Sequence, residues 1–304
     1  MDPPRRSRFR RWRTTVGPFL NLALFGAAVL VLDRLLAEYR YSDVQQALAA
    51  VPLWAVGSAL VLTCLGYLAL VSYDYLAFRF VGRPLAWRTV LMPSFVSFAV
   101  SNNAPAAVLT AGGVRFRLYE GLGLTGTEAV IIAGFNIVTY ILGLCALGGA
   151  ALLARATGAP SVLLGLSSRL FGLLLVLAVV AFLVATRLGR QPAALARRGL
   201  RLPPTSVALS QLGVSVLDWL LSSAALYVLV FPVVRVPLAD FLATFLAAQV
   251  ATQVVPVPGG IGVFEAVMVL LSPGGAEPPQ LLAALLLYRV IYYLLPLLAA
   301  ALLF

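Results

Sequence analysis

A chain of 304 residues that is 62% apolar and 11% charged, with a mean hydropathy of +0.99, has too little polar surface to cover a water-soluble globule, so it is an integral membrane protein. Its 22 basic residues are all arginine, set against 11 acidic residues and no histidine, which excludes a Schiff-base lysine, a histidine general base and a histidine-held metal. Cys64 and Cys145 both lie in apolar runs, where a thiol acts as a small hydrophobe, and imply neither a disulfide nor a metal site.

In chain order, Arg5, Arg6, Arg8, Arg10, Arg11 and Arg13 make residues 1–15 a basic arm, and an apolar run over 16–37 without a small-residue cleavage site reads as a retained first span. Short loops rich in arginine stay in the cytoplasm, so the arm fixes the N-terminus inside. The loop with Glu38, Arg40 and Asp43 is acidic, as an outside loop should be, and the run 53–78 returns the chain to Arg79, Arg83 and Arg88. A second basic loop holds Arg187, Arg190, Arg197, Arg198 and Arg201. Between these two inside loops the chain must cross an even number of times, yet three apolar runs lie there: 89–104, 126–153 and 169–187. The shortest ends in Ser101-Asn102-Asn103-Ala104-Pro105 and is followed by Gly112-Gly113, Arg115 and Arg117, so residues 89–122 are predicted to form a re-entrant hairpin.

Farther on, runs at 206–231, 239–255, 261–271 and 280–304 repeat the pattern, with Pro258-Gly259-Gly260 at the tip of a second hairpin over 239–271. Asn136, Thr139, Tyr140 and Gly143 match Arg289, Tyr292, Tyr293 and Pro296 at a constant spacing, and Pro84-Leu85-Ala86 matches Pro237-Leu238-Ala239. The expected fold is therefore an all-α polytopic membrane protein with an inverted-topology repeat, about six full crossings plus two re-entrant hairpins, N-in and C-in. The first repeat is placed at 16–155 and the second at 156–304. Paired breaks at corresponding places in two halves point to a transporter's binding site, because irregular backbone at membrane depth survives only where protein or a water-filled cavity covers it.

A charge at mid-membrane costs about 2.5–3.5 kcal/mol on insertion scales, so those that persist face the bundle interior with a partner. By depth the candidates are Asp74, Arg115, Arg117, Glu120, Asp218, Glu265 and Arg289. Asp218 lies halfway along its span, and Glu265 one helical turn past a tip. Each reads either as a salt bridge between helices or as a site residue; for Asp74 the structural partner would be Arg79 or Arg83. Arg289 shares a helix face with Tyr292 and Tyr293, a surface suited to a phosphate headgroup. Asn102, Asn103, Gly112, Gly113, Tyr119, Gln249, Pro258, Gly259 and Gly260 complete the predicted substrate-binding set. Tyr67, Tyr73 and Tyr75 read as packing and interface anchors. Gly259-Gly260-Ile261-Gly262 follows no strand and is no dinucleotide loop. Neither a nucleophile–base pair nor a cofactor site is visible, and nucleic acid is not an expected partner.

Tyr39-Arg40-Tyr41-Ser42-Asp43-Val44, Tyr73-Asp74, Ser101-Asn102-Asn103, the Gly112-to-Tyr119 segment, Leu217-Asp218-Trp219, Val257-Pro258-Gly259-Gly260-Ile261-Gly262-Val263-Phe264-Glu265 and Tyr288-Arg289-Val290-Ile291-Tyr292-Tyr293 together resemble the N-terminal flippase region of bacterial lysylphosphatidylglycerol synthase/flippase proteins, the multiple peptide resistance factors. The resemblance covers almost the whole chain. It implies a multi-pass bacterial plasma-membrane protein that moves aminoacylated phosphatidylglycerol to the outer leaflet, lowering surface negative charge and repelling cationic antimicrobial peptides. In bifunctional members an aminoacyl-tRNA-dependent transferase domain follows. This sequence ends at Phe304, inside its last apolar run, so no catalytic centre is expected within it. The implied partners are an anionic or aminoacylated phospholipid and a separate aminoacyltransferase domain, with a homo-oligomer compatible with the reading. The alternatives are the membrane portion of a bifunctional phosphatidylglycerol lysyltransferase and a small-solute or ion carrier.

Overall fold

The computed structural model describes residues 41–103, 118–119, 123–155, 167–189, 202–232, 234–255, 257–271 and 278–303. The expectations for the basic arm, the run at 16–37, Gly112, Gly113, Arg115, Arg117 and Glu120 lie outside these residues. Among the described residues there is helix and no strand. The elements are α1 (Tyr41–Ala50), α2 (Leu53–Phe80), α3 (Trp87–Asn103), α4 (Gly126–Ala154), α5 (Ser168–Arg187), α6 (Thr205–Val230), α7 (Leu238–Val254), α8 (Val263–Leu270) and α9 (Pro278–Tyr288). A wide π-turn over Arg289–Leu294 joins α9 to α10 (Leu295–Leu303).

Among the described residues five helices are long and apolar enough to cross a bilayer: α2, α4, α5, α6 and the continuous stretch Pro279–Leu303. The protein is thus an all-α, multi-pass membrane protein. At a rise of about 1.5 Å per residue, the 17-residue α3 and α7 reach about 26 Å and the eight-residue α8 about 12 Å, short of a hydrocarbon core of about 30 Å. Helix α8 packs back on α7. Helix α1, where sequence suggested only an outside loop, packs along α9.

The same succession of helices occurs twice. Long, short and long helices begin at residues 53, 87 and 126, then again at 205, 238 and 278. Helix α2 packs along its counterpart α6, and the remaining contacts are reciprocal: α3 lies against α10, and α7 against α4. Two hydrogen bonds follow the same rule and set Tyr140 in correspondence with Tyr292 rather than Tyr293, one residue off the spacing expected from sequence. The Tyr67 hydroxyl on α2 donates to the Tyr292 carbonyl at 3.2 Å, and the indole N–H of Trp219 on α6 donates to the Tyr140 carbonyl at 3.1 Å. Their rings meet as well, with centroids 5.8 Å apart for Tyr67 and Tyr292 and 4.8 Å for Tyr140 and Trp219.

Small residues allow the close crossings that lipid, lacking a hydrophobic driving force between helices, requires. A Cβ at Gly143 would stand 2.6 Å from the Ser215 backbone, so α4 and α6 touch there main chain to main chain. A Cβ at Gly149 would likewise lie 2.9 Å from the Gly172 carbonyl, which sets α5 on α4. The outer face of α5 presents Leu170, Leu173, Leu174, Leu177, Val180 and Val184 outward, as a lipid-facing surface would.

Candidate functional site

The second hairpin turns at Pro258–Gly260, where Gly259, Gly260 and Gly262 adopt φ of 58°, 63° and 82°, the left-handed region open mainly to glycine. The turn aims its carbonyls at a guanidinium. Arg289 donates from Nη1 to the Gly259 carbonyl and from Nη2 to the Gly260 carbonyl at 3.0 Å. Its Nε reaches Glu265 Oε1 at 2.7 Å, and Nη2 reaches Oε2 at 3.2 Å. Glu265, in the first turn of α8, also accepts the Gly262 N–H at 2.8 Å and so caps the helix start. The guanidinium stacks over Phe264 at 5.6 Å and Tyr293 at 4.8 Å. The expected pairing of an interior carboxylate with a buried arginine is therefore Glu265 with Arg289. Among the described residues the second Nη1 hydrogen has no acceptor.

The first break meets the second here. The Asn102 carbonyl, at the end of α3, lies 3.9 Å from where a Cβ of Gly259 would stand, and Arg289 Nη1 lies 3.6 Å from it. Asn103 donates to the Ala99 carbonyl at 2.8 Å and to the Tyr293 carbonyl at 3.2 Å. The neighbouring Tyr292 carbonyl is freed for a local reason. Pro296 has no N–H to return to Tyr292 four residues earlier, so the helix widens to a π-turn in which the Leu295 N–H reaches Val290. The Tyr67 hydroxyl of α2 then takes the released Tyr292 carbonyl, and Asn103 reaches the next carbonyl along, that of Tyr293. Asn102 Nδ2 makes a long contact of 3.5 Å with the Tyr67 hydroxyl. The last run was expected to be a plain span; Pro296 was the available signal of its interruption.

Two more carboxylates lie deeper. Asp74 on α2 is fully buried and accepts from Ser94 Oγ and the Tyr119 hydroxyl, both at 2.6 Å, and from Asn136 Nδ2. Arg79 and Arg83 point elsewhere, Arg79 over the Tyr75 ring and Arg83 to Glu128 at 2.7 Å and the Gly123 carbonyl. Asp218 on α6 is 5% exposed and accepts the Tyr73 hydroxyl on Oδ2 at 2.9 Å. Tyr73 thus belongs to the polar interior rather than to packing alone. Its place beside Asp74 in sequence was the signal for it. Tyr292 is buried, stacked on Tyr288 at 5.1 Å, and Tyr293 stands edge-on to Tyr292 at 5.4 Å. Gln249 is half-buried on α7; its carbonyl accepts from Thr252, whose methyl group abuts Gly260.

Most of the sequence-predicted residues fall into two groups, with Asp218 apart from both beside Tyr73. Asn102, Asn103, Gly259, Gly260, Glu265, Arg289, Tyr292 and Tyr293 converge on the meeting of the breaks, whereas Asp74 and Tyr119 form a separate cluster with Ser94 and Asn136.

Residues 19–300 match the family model described as the lysylphosphatidylglycerol synthase TM region. The chain is also 31% identical over 274 residues to the inner membrane protein YbhN of Escherichia coli, covering 87% of this chain and 83% of that protein. It is 30% identical over 254 residues to the uncharacterized protein slr0712 of Synechocystis, covering 83% and 79% respectively.

Proposed function

We infer, because this chain belongs to the family of lysylphosphatidylglycerol synthase transmembrane regions, that it moves a phospholipid headgroup across the bacterial inner membrane as a flippase, with aminoacylated phosphatidylglycerol as the substrate class. The observation that carries the reading is the meeting of two broken helices, Asn102 beside Gly259, at a buried guanidinium. A lipid carrier must offer a polar path for the headgroup inside a shell that stays apolar toward the acyl chains, and paired helix breaks supply it. In this reading the headgroup phosphate takes the Nη1 hydrogen that Arg289 leaves uncommitted, with Arg115 and Arg117 adding positive charge. A positively charged aminoacyl group is met by Asp218 or Glu265. The two halves work in inverted orientation, so that the site faces each leaflet in turn. The YbhN match supports the inner-membrane placement.

The test is a leaflet-resolved assay in liposomes containing only this chain, with fluorescent phosphatidylglycerol and its lysyl ester in separate preparations. Movement of either lipid above protein-free liposomes is expected, faster for the ester; equal rates with and without protein would remove the flippase reading. The family description itself names a synthase and so supports a second reading, in which the chain is the membrane portion of a lysyltransferase and hands it lipid. Lipid binding without translocation would favour that one.

A further inference from the structure

We propose that Asp218 is a proton-binding site, protonated in the arrangement described, whose proton exchanges with the cationic headgroup during translocation. Asp218 stands at mid-length of α6, and Oδ1 has no hydrogen-bond partner among the described residues. The ion pairs of the described residues employ Glu128, Asp240 and Glu265, and none reaches Asp218. An isolated buried carboxylate costs several kcal/mol, whereas a neutral acid forfeits only about 1–3 kcal/mol for one unmade hydrogen bond.

Among the described residues the ionisable groups that interact with it are uncharged tyrosines, of which Tyr73 donates to it. Tyr67 and Tyr73 come from α2, Tyr140 from α4, Tyr288 from α9 and Tyr292 from the π-turn. Helix α5 carries its charges, Arg169 and Arg187, at its ends. On α7, Asp240 is held by Arg155 at 2.7 Å, and Gln253 donates to the Tyr140 hydroxyl at 3.2 Å. Nor is the surrounding oxygen arranged for a metal cation, which needs a full shell of ligands. Ser215, Ser222 and Ser223 turn their hydroxyls to the carbonyls of Leu212, Trp219 and Leu220 on their own helix. A proton needs no shell. A carboxyl group holds either a proton or the ionic partnership of an ammonium, so arrival of a cationic headgroup releases one proton and its departure takes one up.

The exchange rests on the flippase reading; the protonation does not, and two measurements on the full chain separate them. The first is infrared difference spectroscopy in nanodiscs of phosphatidylethanolamine and phosphatidylglycerol at neutral pH. The carbonyl band of a protonated acid is expected in the parent, absent in Asp218→Asn and shifted in Tyr73→Phe, which keeps the acid and loses its hydrogen bond; no such band overturns the site. The second is lysyl-phosphatidylglycerol movement in vesicles of that composition with an imposed pH difference. One exchanged proton per lipid shifts the steady-state leaflet ratio by up to about tenfold per pH unit, and Asp218→Asn abolishes the shift. Lipid movement indifferent to the gradient overturns the exchange and leaves the flippase reading standing. An acid band without lipid movement removes the flippase reading and leaves the proton site.

Discussion

The Glu265–Arg289 pair fixes the second hairpin tip, and a double-mutant cycle measures how strongly. Replacing Arg289 by Met removes both bonds to the carboxylate and both bonds to the Gly259 and Gly260 carbonyls, leaving Glu265 buried with the Gly262 N–H. With side chains 13% and 9% exposed, solvent screens the pair little, so the loss should approach the ~3–5 kcal/mol of a broken buried ion pair. Glu265→Gln keeps an acceptor for Arg289 and for Gly262, and should lie at the lower end of that range. In the double variant no charge is left unpaired, so its loss should fall short of the summed single losses by at least ~2 kcal/mol. Equilibrium unfolding in mixed micles with rising denaturing detergent, read by circular dichroism, gives all four corners of the cycle. Additivity within ~0.5 kcal/mol would refute the claim that these two side chains form one unit.

Gly143→Ala forces a methyl group to 2.6 Å from the Ser215 backbone and should cost ~1–3 kcal/mol, whereas Gly134→Ala, which meets nothing within 4 Å, should gain ~0.5–1 kcal/mol; thermal melts of both in one detergent check the contrast. Gly260→Ala carries a φ of +63° and a methyl group 2.6 Å from the Thr252 side chain, so a stability loss of at least ~1–2 kcal/mol is expected by the same melt. Tyr67→Phe and Trp219→Phe each delete one of the reciprocal bonds to the Tyr292 and Tyr140 carbonyls, and similar losses of ~0.6–1.7 kcal/mol are expected for the two in the detergent-unfolding assay.

The membrane spans were legible because apolar runs of helical length leave no other option, and both ends of the second break were legible because proline and three glycines interrupt such a run. Cost argued that Asp218 or Glu265 should meet a buried arginine but not which of them; Glu265 does. What periodicity could not reveal is which carbonyls a break releases and which side chain collects them. Tyr67 and Asn103 act on backbone more than 180 residues away, a relation that exists only once α2, α3 and the π-turn are packed. Asp74 shows the same limit. An arginine a few positions along the chain looked like its partner, but Arg79 turns over the Tyr75 ring and Arg83 pairs with Glu128, while Ser94, Tyr119 and Asn136 converge on the carboxylate from other segments.

The two halves share an order of helices but not a mid-helix carboxyl group. The displacement that carries Tyr67 onto Trp219 carries Gly66 onto Asp218. At Gly66 the Tyr292 ring lies 3.8 Å from where a Cβ would stand, whereas at Asp218 a carboxyl group sits beside Tyr73. Under the proposed flippase function, two matching halves would give two arrangements of similar energy, one open to each side of the membrane. Symmetry alone gives no preferred direction: a population shift requires something that interacts differently with the two arrangements. Asp218 on one side of the pseudo-axis, with glycine opposite, is such a difference. Under the proposed flippase function the hydrogen-bonded frame sets the positions between which the protein moves, and the unshared carboxyl group sets how they are populated.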